Sequence, residues 1–248
     1  MAACPDGRCD GSGFLYDEAT RKARECTCRP RRIARRKARK LAGVIPRRYQ
    51  GVSFDRSPVT LIEPTVVRVV RAYVDALDEN LREGRGIWFQ GDIGTGKTTL
   101  AMLISATALR EGHSVAIYSL PRLLGLLRES FDEGSEATLS TLLERLAATE
   151  LLHIDDLGAE QSSPWVLEQL YTIVNTRYED GKAIVLTTNL DPTTELREQI
   201  GTRTVSRLVE MCGDPIQLFG SDRRREAPVP WDDDDAPVPY GEPRRLAS

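Results

Sequence analysis

Residues Gly91 to Thr98 read Gly-Asp-Ile-Gly-Thr-Gly-Lys-Thr, directly after the apolar run Gly86-Ile87-Trp88-Phe89-Gln90 and directly before the helix-favouring stretch Thr99 to Leu109. That order admits few structures: a buried strand must end in a tight glycine turn from which a helix starts at once. Such a turn aims successive backbone N–H groups at phosphate oxygens. Lys97 adds a point charge at the β and γ phosphates, and the Thr98 hydroxyl is a ligand for Mg²⁺. Gly91, Asp92, Ile93, Gly94, Thr95, Gly96, Lys97, Thr98 and Thr99 are therefore the candidate contacts to a nucleoside triphosphate.

The rest of the chain has room for one substantial domain with appendages, since 248 residues at 40% apolar content can build a core without covalent staples. No secretory signal precedes Cys4, and no apolar run approaches the roughly 18 residues of a membrane span. The expectation is a cytoplasmic protein without membrane contact, in which five cysteines read as metal ligands or free thiols. The net charge of −3 is unevenly spread: Arg21 to Arg48 holds thirteen Lys/Arg against the single Glu25. This is either a solvated, self-repelling arm or an electrostatic footprint for nucleic acid.

Composition divides the chain into residues 1–57, cysteine-containing and then basic; 58–220, with alternating strand and helix signals; and 221–248, with five prolines and Asp232 to Asp235. The last region buries too little apolar surface to order itself and is expected to be disordered. In the middle region, apolar positions from Val66 to Leu81 recur at helical spacing behind Pro64 and stop at Gly84. His113 to Ser119 reads as a strand, Leu123 to Glu129 and Ala137 to Leu146 as helices, and Leu151 to Asp155 as a buried strand. Trp165 to Tyr178 reads as a helix, Ala183 to Thr188 as a strand, Val205 to Met211 as a helix and Ile216 to Phe219 as a short last strand. Such alternation implies an α/β fold, a parallel sheet with helices on both faces, with ligands at the carboxyl ends of the strands.

Leu151-Leu152-His153-Ile154 ends in Asp155-Asp156, fifty-eight residues after Lys97 (155 − 97). Asp155 is the candidate to hold Mg²⁺ with Thr98, and Asp156 to orient or deprotonate an attacking water. Asn189, at the tip of the next strand, is either a water-holding or γ-phosphate-sensing amide or a turn residue ahead of Asp191-Pro192. Arg203 and Arg207 fall on one helix face, where they are either solvated or charge donors to a phosphate in a neighbouring subunit.

The succession of Gly-Asp-Ile-Gly-Thr-Gly-Lys-Thr, Leu-Leu-His-Ile-Asp-Asp-Leu-Gly, Thr-Thr-Asn and Arg-Thr-Val-Ser-Arg-Leu over residues 44 to 225 resembles the DnaC/IstB-type branch of the AAA+ ATPases. That branch includes helicase loaders and transposition helper ATPases. The resemblance implies a P-loop sheet whose phosphate-loop strand lies between the sensor-1 strand and the last strand. It also implies Asn189 as sensor 1, and Arg207 as an arginine finger acting in trans with Arg203 as a second candidate. Gly220-Ser-Asp-Arg-Arg224 is similar to a Gly-x-Asp-x-Arg near the end of these proteins, which makes Arg224 the sensor-2 candidate. Asp156 stands where many AAA+ proteins carry Glu, so slow intrinsic hydrolysis is expected.

Cys4-Pro-Asp-Gly-Arg-Cys9 and Cys26-Thr-Cys28 frame Asp10-Gly-Ser-Gly-Phe14. Four thiolates at Cys4, Cys9, Cys26 and Cys28 can close a tetrahedral Zn²⁺ site, and a short segment with almost no core needs such a staple. The alternative is a set of free thiols. Cys212 reads as an inward-packed residue, His113 and His153 as structural, Trp88 and Trp165 as core. Phe14 and Tyr16 are read as closing the small module's core rather than stacking on bases. Together these features suggest an ATP-dependent loader that binds ATP, Mg²⁺ and Zn²⁺, places a DnaB-like replicative helicase on single-stranded DNA, and assembles as a homo-oligomer with ATP. A transposition helper ATPase, and a zinc-containing nucleic-acid-binding module whose nucleotide site is structural, remain as the alternatives.

Overall fold

In a computed structural model of the chain, residues 4, 7–17, 21–29, 45–130, 139–159 and 163–222 are described. Most of the basic arm, the Pro/Asp-rich tail from residue 223 and Arg224 lie outside the described residues. The amino-terminal part is a two-stranded antiparallel ribbon, β1 (Phe14–Asp17) and β2 (Lys22–Glu25).

Five further strands form one parallel sheet: β3 (Ile87–Gly91), β4 (Val115–Ser119), β5 (Leu151–Leu157), β6 (Ala183–Thr188) and β7 (Ile216–Leu218). Their spatial order is β4-β5-β6-β3-β7, so the phosphate-loop strand β3 lies between β6 and the last strand β7. The central strands are apolar on both faces because both are covered. On β5, Leu152 and Ile154 enter one core with Trp88, Ile184 and Leu186; Leu151 enters the other with Ile87, Phe89 and Val185. This period-2 partition is what a pleated strand between two helical layers requires.

One layer holds α1 (Pro64–Asp75), α2 (Leu77–Arg82) and α3 (Lys97–Glu111). The other holds α4 (Leu120–Glu129), α5 (Leu139–Ala147), α6 (Pro164–Glu179), α7 (Glu195–Ile200) and α8 (Thr202–Cys212). α3 is buried almost all round, from Thr99 through Ala106, as expected of the helix lying between the sheet and α1. The helical pattern through Leu81 proves to be two helices that break at Ala76 (φ −101°, ψ 23°). Asn80 Nδ2 donates to Tyr73 O across this corner. Helix α7 was not expected: it is one short turn-rich stretch behind Asp191, whose carboxylate accepts from the backbone N–H groups of Thr193 and Thr194.

The composition boundary at residue 57 falls within a stretch whose Ile45, Tyr49, Val52 and Phe54 pack against the α3 side of the core. Arg177 on α6 is 1% exposed and donates to the carbonyls of Leu146, Thr149, Glu150 and Ala183. One guanidinium thus closes the carboxyl end of α5 and the amino-terminal edges of β5 and β6. Burial lowers its pKa to about 9. At the same end of the sheet His113 bridges Asp78 and Glu150 at 3.0 and 3.2 Å. Among the described residues no helix is long and apolar enough to cross a membrane.

Candidate nucleotide site and cysteine cluster

The loop between β3 and α3 adopts left-handed backbone at Gly94 (φ +80°) and Gly96 (φ +108°), and no side chain caps the first turn of the 15-residue α3. Uncapped N–H groups at a helix start favour an anion there. Lys97 is 5% exposed; its Nζ donates to Gly91 O and Asp92 O at 2.8 and 2.6 Å. The ammonium is thereby held across the mouth of the loop. Thr95 Oγ1 donates to Asp92 O at 2.8 Å and tightens the turn. Ile93, 61% exposed, stands at the loop tip, and Thr99 is buried in the first turn of α3.

Two glycines are dictated by close neighbours. A Cβ on Gly91 would lie 1.9 Å from Leu218 O of β7, and one on Gly94 would lie 1.9 Å from Asp222 Oδ1. Asp92 N donates to Leu218 O and Gly220 N to Asp92 Oδ2, each at 3.1 Å. The segment after β7 therefore crosses the phosphate loop and places a carboxylate on it.

From the neighbouring strands come the acidic groups. Thr98 Oγ1 donates to Asp155 Oδ1 at 3.0 Å, so two hard oxygens meet beside the helix start, a donor set suited to Mg²⁺. Thr187 on β6 completes the arrangement: its Oγ1 donates to Asp155 Oδ1 at 2.7 Å and accepts from Asp156 N at 2.9 Å. One hydroxyl thus fixes the Asp155 carboxylate and the Asp156 backbone together. The β5–β6 register shifts between Ile154 and Leu157, and Asp156 takes φ +58° at this bulge. The extra residue turns Asp156 outward to solvent while Leu157 returns to the core with Leu152 and Ile154. Bulges re-aim side chains in this way beside functional sites.

Asn189 follows β6 directly and is exposed, at the strand end beside that of β3 as the register requires. Arg203 is exposed on the first turn of α8. Arg207, 33% exposed, is 3.5 Å from Glu210 Oε1, and its guanidinium stacks 4.0 Å from the Tyr178 ring centroid. Tyr178 Oη donates to Glu210 Oε2 at 2.7 Å. The two arginines therefore differ in setting: Arg207 is held in a side-chain cluster, whereas Arg203 is presented to solvent.

His153 Nδ1 meets Ser105 Oγ at 2.9 Å, but Nε2 has no hydrogen-bond partner among the described residues and lies 4.0 Å from Asp155 Oδ1. Only one of its ring nitrogens is satisfied, short of the fully satisfied core imidazole that was expected. Burial lowers its pKa to about 3, so the ring under the acidic pair is neutral at pH 7. Trp88 is 1% exposed and donates to Gly213 O. Cys212 Sγ packs at Ile184 O. Both match the structural roles expected of them.

In the amino-terminal ribbon the Sγ atoms of Cys4, Cys9, Cys26 and Cys28 all lie within 4.8 Å of one another. Cys4 to Cys26 is 3.9 Å and Cys9 to Cys28 is 3.7 Å, against about 3.8 Å for the edge of a tetrahedron with Zn–S bonds of about 2.3 Å. Burial, followed by hydrogen bonding to Cys26, Cys9 and Cys4, raises the Cys28 thiol to about 12. A bound cation would let four such sulfurs share the space as thiolates. The two aromatic residues depart from the core role that the sequence predicts. Phe14 is 40% and Tyr16 64% exposed, so neither closes a core; the ribbon is too small to have one, and the cysteines occupy its interior.

The sequence pointed to every acidic and basic group just described except Asp222 and the Tyr178–Glu210 pair, and it passed over Thr187. Two hydroxyls ending an otherwise aliphatic strand, Thr187-Thr188, were the available signal. Asp222 stood in the sequence only as the Asp of Gly220-Ser-Asp-Arg-Arg224, and its place on the loop comes from the chain's return across it.

Comparison with known proteins agrees with this geometry. The family of IstB-like ATP binding proteins matches residues 72–206, which is 135 of 248 residues. A Buchnera aphidicola (subsp. Acyrthosiphon pisum) protein named replicative helicase loader DnaC is 26% identical over 182 residues, covering 71% of this chain and 72% of that protein. A putative insertion sequence ATP-binding protein of Sinorhizobium fredii is 34% identical over 140 residues, 54% of each chain. The crystal structure of the DnaC helicase loader superposes with a TM-score of 0.60 at 26% identity, covering 71% of this chain and 99% of that one. The chain spans about half the length of several curated relatives, 56%, 48% and 54% in three of them. With its five-stranded parallel sheet, its phosphate loop and the acidic strand end beside it, this chain belongs to the IstB-like ATP-binding proteins, the DnaC/IstB branch of the AAA+ fold.

Proposed function

We propose that the protein is an ATP-dependent helicase loader, an AAA+ ATPase that helps place a replicative helicase on single-stranded DNA in the cytoplasm. The observation that carries this reading is the chain of contacts from Thr98 through Asp155 and Thr187 to the Asp156 backbone, joined to a cysteine-held ribbon that precedes the fold. The first part is the constellation of an ATP hydrolase; the second supplies a separate surface on which a partner protein or nucleic acid can be engaged. Relatives named replicative helicase loaders support the assignment.

In this reading the loop from Gly91 to Thr98 holds the triphosphate, Thr98 and Asp155 hold Mg²⁺, and Asp156 orients the attacking water. Asn189 senses the γ-phosphate. Arg207 acts on the site of a neighbouring copy, with Arg203 the second candidate and Arg224 the sensor at the end of the family motif. Asp156 reaches less far than a glutamate and faces solvent, which fits slow intrinsic turnover and a switch-like use of ATP. Cys4, Cys9, Cys26 and Cys28 hold Zn²⁺ as a structural staple. Co-purification with a hexameric helicase, with and without ATP, tests the reading. ATP-dependent retention supports it, and absence of binding under both conditions refutes it.

A second reading, a transposition helper ATPase acting on duplex DNA, draws on the relative of Sinorhizobium fredii with its insertion-sequence name. ATP-dependent assembly on duplex but not single-stranded DNA, without helicase retention, would favour it.

A further inference from the structure

Among the described residues Phe14 and Tyr16 stand exposed on the ribbon and enter neither apolar core. Successive residues of a strand point to opposite faces, so Phe14 and Tyr16 share one face with Ala23 and Glu25 opposite them in register. Tyr16 is 64% exposed. The Phe14 ring carries the Arg29 guanidinium 4.3 Å from its centroid, and Arg29 is in turn ion-paired to Glu25. A phenol and an arginine-capped phenyl ring two residues apart on one strand are about 6.8 Å apart along it. That is twice the thickness of a stacked base, so one base fits between them.

Charge identifies the occupant. Arg8, Arg21, Lys22 and Arg24 are exposed around the ribbon beside the exposed acids Asp10, Asp17 and Glu25, and the sequence running on from it, Arg29 to Lys40, adds eight Lys/Arg and no acid. An apolar face for a protein partner would need neither this excess nor the arginine stacked on the ring. A flexible polyanion with unpaired bases uses both: cations track its backbone while aromatic and guanidinium planes stack its bases. Duplex DNA offers the charge but keeps its bases inside. We propose that the β1–β2 ribbon is a base-stacking site for single-stranded DNA, with Tyr16 and the Phe14–Arg29 pair as the stacking surfaces and the exposed Arg8, Arg21, Lys22 and Arg24 as phosphate contacts. This deepens the loader reading and rests on its DNA partner, but it assigns the contact to the ribbon and not to the ATPase fold.

The test uses the full chain, with Y16L and F14L/Y16L, and fluorescence anisotropy of a labelled oligo-dT and of a labelled duplex of equal length. Leucine keeps an apolar side chain and removes the ring. Base–aromatic stacking predicts a roughly five- to hundredfold loss of oligo-dT affinity for Y16L, a larger one for the double variant, and duplex affinity within twofold of the wild type. Metal content and thermal midpoint matching the wild type establish that the ribbon is intact. Unchanged oligo-dT affinity in both variants overturns the proposal, as does an equal loss on both DNAs. Loss of helicase retention with oligo-dT affinity intact makes this face a protein-docking surface and also overturns it. Wild-type protein that binds no oligo-dT at all would remove the DNA partner from the loader reading itself, a result distinct from failure of the ribbon variants alone.

Discussion

Replacing Thr187 by Val separates metal coordination from nucleotide binding, because the substitution keeps shape and removes one hydroxyl that touches neither the phosphate loop nor Lys97. Two hydrogen bonds go: the donation to Asp155 Oδ1 at 2.7 Å and the acceptance from Asp156 N at 2.9 Å. A bond to a charged acceptor contributes about 1.5–3 kcal/mol and a neutral one about 1 kcal/mol; the added methyl in a fully buried position offsets part of this. The net loss should be about 2–3 kcal/mol, or roughly 4–12 °C in the thermal midpoint for a protein of this size, leaving the chain folded. With Asp155 no longer fixed toward Thr98, the metal-dependent part of ATP affinity should fall about 10–100-fold, as for other partners that orient a metal ligand. Titration of ATP in excess Mg²⁺ and again in excess EDTA reads the two parts separately. Affinity in EDTA should stay within about twofold of the wild type, and Thr187→Ser should restore the Mg²⁺ increment. An equal loss in both media, or no loss in either, would refute the role given to this hydroxyl.

Arg207→Ala should leave ATP affinity nearly intact and abolish stimulated hydrolysis if the side chain serves a neighbouring copy; equal loss of both places it in its own subunit's site. Because Arg207 shares Glu210 with Tyr178, Glu210→Gln should raise stimulated hydrolysis and Tyr178→Phe lower it, each by up to about fivefold as for an exposed ion pair. Changes of the same sign would reduce the cluster to packing. At the other end of the sheet, burial alone would raise the Glu150 carboxyl, but hydrogen bonds from His113 and Ser114 outweigh it and hold it down at about 2 against an ordinary 4.5. A folded value below the unfolded one means stability complete above about pH 4.5 and lost as pH falls toward 2, about 3 kcal/mol in all. Denaturation curves of Glu150→Gln should therefore lie below the wild type at pH 7 and meet it near pH 2. A constant offset across that window would contradict the assignment. Arg177→Ala leaves four buried carbonyls short of a donor and should cost about 3–5 kcal/mol, read as a fall in the urea midpoint; a change under about 1 kcal/mol would show that the backbone relaxes to new partners.

Local signals made much of this legible. The strand, glycine turn and helix around Lys97 follow from short-range residue types, and Leu151 to Ile154 followed by two aspartates marks a buried strand with a polar tip. Each depends on neighbours within one element. Helix α7 and the break at Ala76 were missed because neither leaves an apolar period of its own: α7 is six residues long, and Val74 and Leu77 lie on the same apolar stripe through the corner. The outward turn of Asp156 depends on a bulge set by pairing with β6, which no feature of Asp155-Asp156 announces. Asp222 and Thr187 matter through contacts 128 and 32 positions away (222 − 94 and 187 − 155). Phe14 and Tyr16 depart from the expected core role for a related reason: the four sulfurs fill the small ribbon's interior and leave the two rings nothing to cover.

Calorimetric titration of Mg²⁺–ATP into the full chain and into Lys97→Ala tests the central claim most directly. A saturable exchange of heat at one site per chain in the wild type, lost in the variant while its thermal midpoint is kept, is the predicted result. A folded wild-type protein that takes up no ATP, or a Lys97→Ala variant that binds it equally well, would contradict the account at its root.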